Sequence, residues 1–101
     1  MSSPESNSWH FLTNHAQVLL CIQNDEEALM RDIADTVGVT ERAAQRITND
    51  LVASGYVTRE RIGRRNRYRI NPDARMRHPA QREHAIGDLL ELLSSEEKPV
   101  T

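Results

Sequence analysis

Arg42, Gln45, Arg46 and Asn49 follow one another at steps of three and four residues, so on a helix turning about 100° per residue they share one face. Their chemistry matches the edges of nucleobases. An Arg guanidinium donates in parallel to guanine O6 and N7, and a Gln or Asn amide pairs with adenine N6 and N7. Thr40 and Glu41 precede this face and are expected to contact DNA with it, Thr48 flanks it, and Ala43, Ala44, Ile47, Leu51 and Ser54 gather on the opposite side, which is predicted to pack inward. Further on, Arg64, Arg65 and Arg67 with Asn66 form a second polar group suited to phosphates. A solvated helix face is usually polar as well, so the surrounding elements have to decide.

Those elements read as follows. Ile33, Ala34 and Val37 form the apolar stripe of a short helix over Asp32–Val37, and Gly38 supplies a left-handed cap. Val39 plugs the corner, and Thr40 starts a second helix as N-cap with Glu41 in its first turn, where the helix dipole favours an anion. Two helices joined by so tight a turn make a helix-turn-helix, whose second helix can enter the major groove. Ser54-Gly55 ends that helix. Tyr56–Ile62 then reads as a strand, Gly63-Arg64-Arg65-Asn66 as a turn, and Arg67–Ile70 as a returning strand with Tyr68 and Ile70 inward and Arg67 and Arg69 outward. This hairpin is the wing, and Asn71-Pro72-Asp73 closes it.

Upstream, residues 1–8 are polar and expected to be disordered, after which Trp9, Phe11 and Leu12 bring apolar bulk suited to covering another element or a partner subunit. Thr13 or Asn14 can cap a first helix over about His15–Gln23, in which Ala16, Leu19, Leu20 and Cys21 or Ile22 form the apolar stripe. Ala28-Leu29 has the length of a small strand beside the wing. Downstream, Pro79 is placed to begin a helix reaching Leu93, with Ile86, Leu89, Leu90 and Leu93 on one face. This seam either folds back on its own domain or pairs with a second copy. Because three helices and a wing already close a unit, pairing is the favoured expectation, with Gly87 permitting close helix approach.

The expected organisation is mainly α with a small β wing, a winged helix-turn-helix with an added C-terminal helix. Residues 1–12 form an N-terminal arm, 13–72 the DNA-binding domain, 73–94 a linker and dimerisation helix, and 95–101 a disordered tail. Trp9, Phe11, Ile86, Leu89, Leu90 and Leu93 are the expected dimerisation residues.

The net charge of −2 hides a strong asymmetry. Met1–Val39 carries a balance of minus five, Thr40–Thr58 is neutral, Arg59–Arg77 carries plus six from eight Arg, and His78–Thr101 minus three. Phosphates would meet the stripe rather than the net charge. At 101 residues and 38% hydrophobic the chain fits one small domain. No apolar run approaches a membrane helix and the N-terminus lacks the features of a signal peptide, so a cytoplasmic location is expected. A single cysteine, Cys21, admits no intrachain disulfide, agrees with a reducing compartment, and reads as a small apolar residue of the first helix.

The stretch DIADTVGVTERAAQRITNDLVASGYVTRERIGRRNRYRI, within residues 14–71, resembles the winged helix-turn-helix transcriptional regulators of the MarR and ArsR type. The resemblance implies Arg42, Gln45, Arg46 and Asn49 as groove-facing residues, Arg64, Arg65 and Arg67 as wing contacts, and a homodimer. ArsR-like metal sensors carry paired cysteines before the recognition helix, whereas Met30–Val37 holds none, and MarR-like proteins are usually longer, with helices framing a ligand pocket. His10, His15, His78 and His84 lack zinc-site spacing, no phosphate loop or catalytic set is visible, and neither metal, cofactor nor enzyme activity is expected. The expected function is sequence-specific binding of double-stranded DNA by a transcriptional regulator, read as a repressor, with helix 40–54 in the major groove and the wing on the backbone or minor groove. The alternatives are a winged-helix protein-interaction module, which would not need five Arg on one side, and an RNA-binding protein, whose target's deep, narrow major groove excludes side chains.

Overall fold

The computed structural model describes residues 9–94. The expected disorder at 1–8 and the tail at 95–101 lie outside the described residues. Helix α1 spans Asn14–Asn24, α2 Met30–Val37 and α3 Glu41–Ala53; strands β1 (Val57–Ile62) and β2 (Arg65–Ile70) form an antiparallel hairpin; a single 3-10 turn at Pro79–Gln81 precedes α4 (Ile86–Leu92). The fold is mainly helical with a small β wing, the winged helix-turn-helix expected from the sequence, followed by a C-terminal helix.

Local chemistry accounts for the elements. Thr13 Oγ1 accepts from Ala16 N–H and Thr40 Oγ1 from Ala43 N–H, so both α1 and α3 begin on a hydroxyl cap. Gly38 ends α2 at φ +89°, a left-handed conformation that only glycine adopts at little cost, and α3 starts three residues later. Val18, Leu19 and Ile22 of α1, Ile33 and Ala34 of α2, Ala44, Ile47 and Leu51 of α3, Tyr56, Val57 and Tyr68 make one core. Helix α3 is held against α1, α2 and β1, with its polar face left outside.

Five expectations need correction. The hairpin loop is two residues, Gly63-Arg64, because Ile62 pairs directly with Arg65 and Arg61 with Asn66; Gly63 takes φ +63° at the first central position, and Arg65 and Asn66 belong to β2. Ala28-Leu29 is not a strand: Leu29 is the N-cap of α2, and the wing is met instead by the backbone just before it, Tyr68 N–H donating to the Glu26 carbonyl at 2.8 Å. Thr48 is fully buried rather than on the polar flank, its hydroxyl satisfied by the Ala44 carbonyl at 2.8 Å. Ser54, expected inward, is the exposed C-cap residue of α3.

The fifth correction concerns the C-terminal helix. Residues 79–93 are not one helix, because Ala85 is extended and pairs with Arg75, Met76 N–H donates to the His84 carbonyl and Ile86 N–H to the Ala74 carbonyl. The chain therefore returns antiparallel to its own post-wing segment before α4 starts. Helix α4 packs on α1, with Ile86 and Leu90 in the domain's own core and Leu89 packed against it. Half of the expected intersubunit seam is thus spent inside one chain.

Gly87 is needed there against Pro72 of its own chain. A Cβ at this position would lie 2.7 Å from Pro72 Cβ and 2.8 Å from the Pro72 carbonyl oxygen, to which Gly87 N–H donates. Helix propensity alone favours Ala by about 1 kcal/mol, but a backbone carbonyl and a proline ring cannot step aside, and overpacking costs about 1 to 3 kcal/mol. Gly87→Ala is expected to destabilise the domain in a denaturant titration, and unchanged or raised stability would contradict this account.

Candidate nucleic-acid interface

The recognition face assembles as its spacing implies. Glu41, Arg42, Gln45, Arg46 and Asn49 line one open surface on α3, and all are exposed. A second depression lies between this helix and the wing, lined by Gln45 on one side, Arg64, Arg65 and Asn66 on the other and the Glu27–Met30 segment between them. Gln45 belongs to both surfaces, so helix and wing form one continuous polar face. Arg42, Arg46 and Arg64 have no hydrogen bond or ion pair with any described residue, which leaves their full donor sets directed at solvent. Thr40 of the expected set caps α3 with its hydroxyl rather than presenting it.

The other wing residues are restrained. Arg65 donates to the Glu27 carbonyl at 2.9 Å, and Arg67 pairs with the Glu27 carboxylate at 3.0 Å. That carboxylate raises the Arg67 guanidinium above its already high ordinary value, so its charge is fixed. Glu27 itself is placed by an Asx turn, its N–H donating to Asp25 Oδ1 at 3.0 Å. Asn66 is half-buried, its Nδ2 within 3.4 Å of the Tyr68 hydroxyl. The wing thus has a free tip at Arg64 and a base anchored to the loop before α2. Nothing in the sequence singles out Glu27 among the acids of that loop.

The hairpin register exposes a residue that composition alone leaves among eight equivalent Arg. Arg59 lies opposite Tyr68, with its guanidinium carbon 5.9 Å from the ring centroid, and its Nη2 donates to Asn49 Oδ1 at 2.5 Å. The cationic stripe divides accordingly. Six of its Arg lie on the hairpin, whereas Arg75 and Arg77 turn away, Arg75 to the Glu83 carbonyl and Arg77 to Ser54 Oγ at 3.2 Å.

The expected dimerisation residues are dispersed. Trp9 and Phe11 stack edge to face with centroids 4.9 Å apart; Phe11 is 91% exposed, and Leu93 lies at the exposed end of α4. Ile86 and Leu90 are buried. Elsewhere, His15 Nε2 meets Asp50 Oδ2 at 2.9 Å, linking α1 to the far end of α3. Burial pushes the Cys21 thiol above its ordinary value, which disfavours the reactive thiolate. Among the described residues no three His, Cys, Asp or Glu side chains gather as a metal site, and no helix is long and apolar enough to cross a membrane.

A helix-turn-helix whose second helix presents Arg and amide side chains beside a basic wing defines the class of winged-helix DNA-binding regulators. A family model described as the MarR family matches residues 11–67, more than half of the chain, and the chain belongs to that family of DNA-binding transcriptional regulators. The match carries the MarR part of the resemblance. None of the curated proteins compared matches the chain.

Proposed function

We propose that this chain is a repressor acting in the cytoplasm as a homodimer, in which α3 reads the major groove of an operator and the wing follows the adjacent backbone or minor groove. The observation that carries this reading is the continuity of the α3 face with the wing through Gln45, with three Arg spread along it that have no partner among the described residues. A protein-interaction module has no use for such a row of free guanidinium groups. The roles divide by position: Arg42, Gln45 and Arg46 lie in the first half of α3, which approaches base edges, and Arg64 at the wing tip meets phosphate. The reading involves no catalysis, in keeping with a family whose regulators are generally not enzymes.

Mobility shifts on genomic fragments, followed by selection from random duplexes, test the reading. Observed affinity is expected to fall steeply with salt. Arg64→Ala weakens all sequences about equally and flattens the log-log salt slope by roughly one unit, whereas Gln45→Ala costs about 1 to 3 kcal/mol at one base position and leaves non-specific binding nearly intact. No duplex binding at low salt would end this reading. Equal losses on specific and random duplex for Gln45→Ala would remove the assignment of Gln45 to base reading.

A further inference from the structure

Asn49 sits on the recognition face, and its amide type suits adenine, yet its hydrogen bonds point elsewhere. Its Oδ1 accepts from Arg59 Nη2 at 2.5 Å and lies 3.4 Å from Gln45 Nε2. A guanidinium has donors only, so the atom facing Arg59 has to be the Asn49 oxygen; the usual ambiguity between amide oxygen and nitrogen does not arise. An Asn that reads adenine needs that same oxygen to accept from N6. Here it is engaged by a charged donor, in the shorter and stronger class of hydrogen bond. Arg59 is fixed on its second side by Tyr68, its cross-strand partner, whose ring lies under the guanidinium. With one N–H given to Asn49, Arg59 keeps four others, enough for a two-point grip on an anion.

Position decides which anion. Asn49 lies in the second half of α3, and Arg59 belongs to a strand beside that helix rather than to the helix itself. The base-reading end of a recognition helix is its N-terminal part, and its flanks face the sugar-phosphate rails. We propose that Arg59, clamped by Asn49 and Tyr68, is a DNA phosphate contact, and that Asn49 is a positioning residue that carries no base information. This rests on the reading that α3 and the wing bind duplex DNA. Arg59 would then grip one rail beside α3 while Arg64 at the wing tip grips another point, fixing the angle at which α3 enters the groove. Asn49, which the residue types alone assign to adenine, becomes part of the frame.

The test measures the wild type, Asn49→Ala, Arg59→Met and the double variant on the selected operator and on random duplex, across a salt series. Methionine keeps an aliphatic stem on Tyr68 while removing the charge, and all the changes are on exposed positions, so folding is retained and is checked by circular dichroism. Arg59→Met is expected to lose about tenfold on both duplexes and to lower the salt slope by about one unit. Asn49→Ala is expected to weaken both duplexes without changing the slope by a full unit, because Arg59 keeps its charge but loses its clamp. In the Arg59→Met background Asn49→Ala adds nothing, and neither variant shifts the base preferences recovered from a random pool. A lost base preference at one position in Asn49→Ala would overturn the proposal and restore Asn49 as a base reader. Losses that add independently, or an unchanged salt slope in Arg59→Met, would overturn it as well. Wild-type protein that binds no duplex at low salt would be the separate failure of the DNA-binding reading.

Discussion

Leu90→Ala is expected to lower the stability of this domain by about 2 to 5 kcal/mol, a large fraction of the roughly 5 to 15 kcal/mol that holds a domain of this size together. Leu90 is 2% exposed and belongs to the core beside α1, so its truncation removes buried methyl groups and leaves a cavity there. At about 4 to 8 °C per kcal/mol, the melting temperature falls by on the order of 10 °C or more. Leu92, two residues on and 79% exposed, provides the contrast: Leu92→Ala is expected to change stability by no more than about 0.5 kcal/mol. The pair separates the two fates of the C-terminal helix. If Leu90 sealed an intersubunit seam, its loss would act through association and depend on protein concentration. A Leu90→Ala protein with unchanged melting temperature and altered mass would contradict the packing described for α4.

The helix-turn-helix was legible because each of its signals is local. Gly38, Thr40 and the apolar stripes of α2 and α3 fix the turn within a few residues, and side-chain spacing alone places Arg42, Gln45 and Arg46 together. What sequence could not supply depends on pairing across distance. Whether Arg65 and Asn66 are turn or strand depends on the register, which Ile62↔Arg65 settles, and Arg59 becomes distinct from its neighbours only once it is opposite Tyr68. Thr48 carries a polar label but bonds back to Ala44, so a wheel drawn from residue types puts it outside when its methyl and hydroxyl are both accommodated inside. The C-terminal seam shows the same limit from the other side. The period of Ile86, Leu89, Leu90 and Leu93 correctly marks an apolar face, but periodicity does not say which surface covers it, and here the chain's own core takes Ile86 and Leu90.

That reassignment sharpens the expectation for the dimer. With Ile86 and Leu90 committed to the core, the large apolar side chains still presented to solvent among the described residues are Trp9, Phe11, Leu29, Ile62, Leu92 and Leu93, of which Leu29 and Ile62 belong to the loop before α2 and to the wing and the others to the two ends of the chain. Dimers are typical of the family, and large exposed aromatic side chains are what such contacts use. Phe11→Glu combined with Leu93→Glu places a carboxylate at each of two exposed apolar positions without touching the core, and is therefore expected to dissociate the dimer while leaving the thermal unfolding of the domain nearly unchanged. A two-fold dimer binds a pseudo-palindromic operator with half-sites about 10 base pairs, or a multiple of that, apart. Once dissociated, each half-site must be bound without the gain from linkage, so operator affinity falls by about 10² to 10⁴ while affinity for an isolated half-site stays the same. Sedimentation of the unmodified protein at micromolar concentration checks the premise. A species at the 11.5 kDa of one chain would refute the dimer, and equal losses of the double variant on operator and half-site would show that Phe11 and Leu93 act on the DNA face rather than between subunits.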